Sequence, residues 1–212
     1  GNLLGSQQPR QRLAALLASA LRDSPFYRRR RPGSSHTLPR LEQLEPVEKA
    51  ELMQHFDDWA TDRRITHAAA AAFIADTARI ADAWLGDYLV WTSSGTSGVP
   101  GWFVQDARCL AAHDAIDALR LRGAASAQAR LGSWGLGQRF AFVGASGGHF
   151  AGWVSMERLR RVVPAGLRPE IDLLSVQQPL RQLAQALQAL QPSVLISYPS
   201  CAAALAQLQQ EG

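Results

Sequence analysis

Hydrophobic positions recur at helical spacing through residues 1–85. Residues 9–22 place leucines and alanines three and four apart, and residues 66–82 form an alanine-rich run of high helix propensity. Between these two stretches, Pro46 predicts a helix that runs to about Phe56, because proline suits the first turn of a helix. We therefore expect residues 1–85 to form a mainly helical N-terminal segment.

From Tyr88 onwards, short apolar runs alternate with longer amphipathic stretches. The apolar runs predict strands at 88–93, 139–143, 171–176 and 193–198, with 102–104 as the returning arm of a hairpin. The stretches between them predict helices at 107–122, 153–161 and 179–190, and a last helix capped by Ser200. Strands alternating with helices of this length favour a parallel sheet flanked by helices. The expected fold class is α/β, with residues 86–212 forming an α/β subdomain.

The composition is that of an ordinary globular protein, with 47% hydrophobic residues. The formal net charge of +4 comes from arginine, since Lys49 is the only lysine. The one basic run, Arg28 to Arg31, is not interleaved with aromatic residues, so we expect no nucleic-acid partner. No apolar run of about 18 residues predicts a membrane span, and the first residues lack a signal-peptide pattern. Cys109 and Cys201 are far apart, which favours reduced thiols and a cytoplasmic protein.

The loop that follows the first predicted strand carries the most informative motif. It reads Trp91-Thr92-Ser93-Ser94-Gly95-Thr96-Ser97-Gly98-Val99-Pro100-Gly101. Glycines let a backbone approach a polyanion, and hydroxyls and amides donate to phosphate oxygens. A Walker A loop needs a lysine that is absent here, and the dinucleotide Gly-x-Gly-x-x-Gly pattern is also absent. A phosphate-binding loop of another kind and a plain hairpin turn remain open.

The segment Ser93 to Pro100 resembles the phosphate-binding loop of the adenylate-forming superfamily, the acyl-CoA synthetases and their relatives. In most members a lysine follows the proline, whereas this chain has Gly101. The phenylacetate-CoA ligase and coenzyme F390 synthetase branch often lacks that lysine and is more similar. Further stretches resemble this branch in the same order along the chain: Ser24-Pro25-Phe26-Tyr27, Leu44 to Lys49 with Phe56-Asp57-Asp58, and Ser193 to Ser200.

The resemblance implies a ligase that activates a carboxylic acid, with an aromatic acid expected, by means of ATP and Mg²⁺. An acyl-adenylate forms first, and coenzyme A or another thiol then takes the acyl group. By likeness, the β- and γ-phosphates are held by Ser93, Ser94, Gly95, Thr96, Ser97 and Gly98. The expected partners are the small-molecule acid and ATP, with a homodimer as a candidate assembly.

A second loop, Gly144-Ala145-Ser146-Gly147-Gly148-His149, follows a predicted strand and precedes a helix. Gly-x-Ser-x-Gly in that position also marks the nucleophile of α/β-hydrolases, with Ser146 as the nucleophile. That interpretation lacks its general base, because His149 is the only later histidine and follows too closely. In the resemblance, this loop lines the acyl pocket, which implies that Ser146, His149 and Phe150 face the acid. A histidine hydrogen-bonded within a glycine-rich turn is the structural alternative.

In members of the superfamily, several functional elements follow the region that corresponds to residues 1–212. They are the acidic residue for Mg²⁺, the Thr-Glu segment for adenine, the aspartate for ribose and the C-terminal catalytic lysine. We therefore expect an N-terminal portion of a ligase, with no catalytic or metal-binding residue of its own and no activity alone. A non-catalytic binding subdomain with a surviving loop is the alternative.

Overall fold

The computed structural model describes residues 4–32, 37–93, 98–124, 139–164 and 170–211. The chain divides into two units, one of residues 1–72 and 97–101 and one of residues 73–96 and 102–212. The sequence pattern predicts the division between residues 85 and 86 instead. The structural division at Phe73 places the segment from Asp76 to Trp84 in the same unit as the sheet.

The first unit is helical in its described part. Its elements include α1 (Leu4–Asp23), α2 (Pro25–Arg29), a 3₁₀ turn (Leu41–Gln43), α3 (Lys49–Gln54) and α4 (Phe56–Trp59). The helix predicted from Pro46 starts too early, because Glu48 is still extended and is the residue that directly precedes α3. His55 leaves helical geometry, with φ −109° and ψ 28°, and this break separates α3 from α4.

Most arginines of the run from Arg28 to Arg31 contact carboxylate or backbone carbonyl groups of the first unit. Arg29 contacts the Asp58 carboxylate at 2.5 Å, and Arg30 forms an ion pair with Glu51. Arg31 donates to the carbonyl oxygen of Thr37 at 2.9 Å. This run therefore helps to hold the segments of the unit together, while the expected lack of a nucleic-acid partner stays a prediction.

The second unit opens with the end of α5 (His67–Ala75). The helix predicted over 66–82 stops at Asp76, whose carboxylate accepts the amide of Ala78 and begins a short 3₁₀ turn. Ala81 then adopts φ +63°, which is incompatible with a continuing helix. The predicted hairpin is confirmed: β1 (Tyr88–Thr92) pairs antiparallel with β2 (Trp102–Asp106), and α6 (Ala107–Ala124) follows.

A three-stranded parallel sheet forms the centre of the second unit. Its strands are β3 (Arg139–Gly144), β4 (Glu170–Ser175) and β5 (Val194–Ser197), in the order β4-β3-β5. The helices that follow these three strands along the chain are α7 (Ala151–Val162), α8 (Leu180–Leu190) and α9 (Pro199–Glu211). The α/β class is confirmed. Helix α9 begins at Pro199, so the predicted cap Ser200 lies in its first turn.

The central strand β3 contributes to packing on both faces of the sheet. Val143 packs with Leu183 of α8 and Leu205 of α9. Because side chains alternate along a strand, Phe142 belongs to the opposite face. Its ring meets the edge of Trp153 from α7, with the centroids 6.4 Å apart. The carboxyl end of β3 is thus enclosed between α7 and the helices of the other face.

Candidate functional site

A cleft of about 330 Å³ lies at the carboxyl ends of the parallel strands. It is lined by the last residues of β1, β3 and β5 and by the first turn of α7. The lining residues are Thr92, Ser93, Phe142, Val143, Ala145, Phe150, Ala151, Gly152, Trp153, Ile196, Ser197 and Tyr198. In open α/β sheets, ligands bind beyond this edge of the strands. The cleft therefore occupies the place where the fold class predicts a site.

Among the described residues, the lining of the cleft contains four aromatic side chains and no charged side chain. Its aromatic members are Phe142, Phe150, Trp153 and Tyr198. Its polar side chains are hydroxyls, and the Oγ of Ser197 is buried without a hydrogen-bond partner in the described part of the chain. Such a surface suits a flat apolar group that carries a small number of hydrogen-bonding atoms.

The phosphate-loop prediction falls only partly within the described residues. Ser94, Gly95, Thr96 and Ser97 lie outside them, whereas Ser93 and Gly98 lie inside. Ser93 lines the cleft directly after β1. Gly98 adopts φ +87°, a conformation that residues with a Cβ rarely take, which accounts for a glycine at this position.

Backbone hydrogen bonds join the start of this loop to the glycine-rich loop of residues 144–150. The amide of Thr92 donates to the carbonyl oxygen of His149 at 2.6 Å, and the Thr92 hydroxyl donates to the same oxygen at 3.3 Å. Thr92 also forms a parallel bridge with Phe150. Ser93 and Phe150, which the sequence motifs assign to two different subsites, are therefore brought to one cleft.

The ring of His149 lies in the core rather than on the lining of the cleft. Only 1% of the residue is exposed, its Nε2 donates to the carbonyl oxygen of Asp76 at 3.0 Å, and its ring contacts Phe73 at 5.2 Å between centroids. Its Nδ1 is buried with no partner among the residues that the structure describes. The contact of His149 with an acid stays a prediction, and these contacts favour the structural alternative.

Ser146 is paired with a serine rather than a histidine. Its Oγ donates to the Oγ of Ser175, at the end of β4, at 2.6 Å. Ser175 Oγ in turn accepts the amide of Gln177 at 3.3 Å. His149 directs Nε2 to Asp76 and forms no hydrogen bond with Ser146 among the described contacts. The arrangement does not favour the hydrolase interpretation, and Ser146 itself is not among the lining residues.

Of the twelve described lining residues, Ser93 and Phe150 were predicted as site residues, and the other ten, among them Phe142, Trp153 and Ser197, were not. Phe142 and Ser197 belong to apolar strand segments, and Trp153 belongs to a helix. In sequence, all three are typical of core positions. The one signal for them was their position within two residues of the end of a parallel strand or in the first turn of the next helix.

The described residues contain no group of three or more histidine, cysteine, aspartate or glutamate side chains arranged to hold a metal ion. They therefore do not fit a Mg²⁺ site by themselves.

In the first unit, a cavity of about 350 Å³ is lined by residues 53–58 and His67, and it contains none of the predicted site residues. No helix in the described ranges is long and apolar enough to cross a membrane.

Comparison of the chain with protein-family models, with curated proteins and with solved structures finds no match to any of them.

Proposed function

We propose that this chain carries the acyl and phosphate subsites of an ATP-dependent adenylate-forming ligase, which activates a carboxylic acid for transfer to coenzyme A or another thiol. The observation that carries the proposal is the joining of Ser93 and Phe150 at one cleft. Ser93 begins the loop that resembles a phosphate-binding loop, and Phe150 ends the loop that resembles an acyl-pocket loop. The cleft also lies at the edge of the sheet where such ligands bind.

In the proposed reaction, a carboxylate oxygen attacks the α-phosphorus of ATP. The new bond joins that oxygen to phosphorus, and the bond from the α-phosphorus to the bridging oxygen of pyrophosphate breaks. Negative charge then develops on the leaving pyrophosphate, where preorganised hydrogen-bond donors lower the barrier. The donors that this chain offers are the hydroxyls and amides of the loop that begins at Ser93.

The first turn of α7 supplies a second electrostatic feature at the cleft. Ala151 and Gly152 line the cleft and belong to the first turn of a 12-residue helix. The unpaired amides at a helix N-terminus carry partial positive charge and favour a nearby anion. Because no charged side chain of the described residues lines the cleft, these amides and the loop hydroxyls would have to stabilise a bound anion there.

Calorimetric titration with ATP tests the phosphate subsite. Thr96→Val and Ser93→Ala each remove one hydroxyl of the loop, and we expect each to weaken binding by about tenfold to a hundredfold, as for the loss of one hydrogen bond to a charged group. Ser155→Ala, on an exposed position of α7, is the matched control and should bind as the unaltered chain does. Equal ATP affinity in all four proteins would show that the loop does not hold phosphate.

A non-catalytic binding subdomain is the second candidate, and the uncharged lining of the cleft in its described part favours it over a hydrolase. It predicts that an apolar acid binds while ATP does not. The same titrations, with ATP and with phenylacetate in separate arms, distinguish the two candidates.

A further inference from the structure

The ring of Phe142 occupies a slot between two glycines at the cleft. Gly144 is the last residue of β3, and Gly152 lies in the first turn of α7. A Cβ at either glycine would meet the Phe142 ring far inside van der Waals contact. Any larger residue at either position would force the ring to move. The ring is thus held between two elements that meet at the cleft.

The environment of Phe142 separates it from the other phenylalanine of the same strand. Phe142 is 8% exposed and lines the cleft, with the edge of Trp153 beside it. Phe140, two residues earlier on the same face of β3, is 6% exposed and does not line the cleft. The two phenylalanines share residue type, strand, face and burial. They differ in whether the ring forms part of the cleft wall.

We propose that Phe142 limits the depth of the cleft and so restricts its apolar ligand to a single aromatic ring. The cleft's volume of about 330 Å³ is at the lower end of the range for small-molecule sites. Its aromatic lining offers edge and face contacts to a ring, and the described lining residues offer no side-chain ion pair to a polyanion at this point. This inference concerns the acyl side of the proposed function and rests on it for the location of the site.

Removal of the Phe142 ring should extend the cleft. Phe142→Ala deletes the ring while both glycines keep the backbone positions that created the slot. Because a protein interior relaxes only partly around such a deletion, a cavity remains that joins the cleft. A second fused ring could then enter and bury apolar surface that the unaltered chain has no room to cover.

The test compares binding of phenylacetate and 2-naphthylacetate, each titrated by calorimetry without ATP. We expect the unaltered chain to bind phenylacetate more tightly. In Phe142→Ala the ratio of the naphthyl to the phenyl dissociation constant should fall about tenfold or more. In Phe140→Ala, which also deletes a buried ring from β3, the ratio should stay within about twofold. Phe142→Leu replaces the ring with a smaller apolar side chain and should lower the ratio by less. This variant serves as the test if Phe142→Ala does not fold.

An equal shift in Phe140→Ala, or no shift in either folded Phe142 variant, would overturn the role of Phe142. If no folded variant binds either acid, the proposal that the cleft binds an aromatic acid is wrong. The ATP titration separates this inference from the proposed function. Binding of phenylacetate without ATP would contradict the proposed ligase but not the role of Phe142 in limiting the cleft. Binding of ATP without either acid would contradict the role of Phe142 but not the proposed phosphate subsite.

Discussion

Replacement of His149 by alanine should weaken the fold of the second unit rather than act on a ligand alone. The imidazole is almost fully buried, contacts the Phe73 ring and donates from Nε2 to the carbonyl oxygen of Asp76. The alanine variant loses the ring packing and this hydrogen bond together. The hydrogen bonds between Thr92 and the backbone carbonyl of residue 149 remain, since that carbonyl belongs to the main chain.

The magnitude follows from the two losses. Deletion of a buried aromatic ring costs about 3–5 kcal/mol, and imidazole is smaller than the rings behind that range, so about 2–3 kcal/mol is reasonable for the packing. Loss of the Nε2 hydrogen bond adds about 0.5–1.5 kcal/mol. The Nδ1 atom, which has no partner among the described residues, disappears as well and offsets part of the loss. The expected decrease in the free energy of unfolding is therefore about 2–4 kcal/mol.

Urea unfolding followed by tryptophan fluorescence measures this decrease. Trp59 is the only tryptophan outside the second unit, so the signal reports mainly on the unit that holds His149. The matched control is His113→Ala, an exposed histidine of α6 in the same unit. Its ring contacts are a 3.4 Å hydrogen bond with Gln105 and an edge contact with Trp91, so its loss should change stability by about 1 kcal/mol or less. Comparison of midpoints at constant slope isolates the change in stability from a change in surface exposed on unfolding.

If His149→Ala is no less stable than His113→Ala, the buried ring contributes nothing to the stability of the unit. If, in addition, His149→Ala loses phenylacetate binding at unchanged stability, the histidine acts on the acid as the resemblance implies.

Two further predictions concern the first unit. Ser24→Ala removes the side-chain cap of α2, in which the Ser24 hydroxyl oxygen accepts a hydrogen bond from the Tyr27 amide. It also removes the hydrogen bond that the Ser24 hydroxyl donates to the Asp58 carbonyl oxygen. Urea unfolding should therefore show a loss of about 1–2 kcal/mol in the free energy of unfolding, which Ser155→Ala does not show. The hydrogen bond from Arg29 holds the pKa of the Asp58 carboxyl below its usual value. The contact therefore stabilises the fold fully at pH values above the unfolded pKa of about 3.9. This stabilisation is lost as the pH falls through the lower pKa of the folded state. Asp58→Asn should therefore narrow the difference in melting temperature between about pH 6 and about pH 3, and an undiminished difference would contradict this origin of acid sensitivity.

From Tyr88 onwards, short apolar runs and hydrophobic positions three to four residues apart were sufficient to predict the described strands and helices, because the two patterns differ clearly in length and spacing. The errors arose where a local signal competes with another. Pro46 suits the start of a helix, yet the chain stays extended to Glu48 before α3 begins. The alanine-rich run favours a helix to residue 82, yet the Asp76 side chain captures the Ala78 amide and ends α5. Asparagine and aspartate compete with helical hydrogen bonding in this way.

The candidate site was predictable in position but not in composition. The carboxyl edge of a parallel sheet follows from topology, and Ser93 and Phe150 were predicted as site residues from the loops that carry them. Phe142 and Trp153 could not be assigned, because an apolar residue on a buried strand or helix has the same pattern whether it faces the core or a cleft. Only the packing of α7 against β3 distinguishes the two cases.

In the proposed site, different parts of the structure determine where phosphate binds and which apolar group fits. A single peptide carbonyl, that of His149, accepts both hydrogen-bond donors of Thr92, so the backbone sets the distance between the start of the proposed phosphate loop and Phe150. The ring of Phe142, by contrast, is a side chain held in a slot between Gly144 and Gly152. A substitution at Phe142 can therefore change which apolar group fits without displacing Thr92 or Ser93. Ligand choice and phosphate placement should respond to different mutations, and the separate phenylacetate and ATP titrations measure each response on its own.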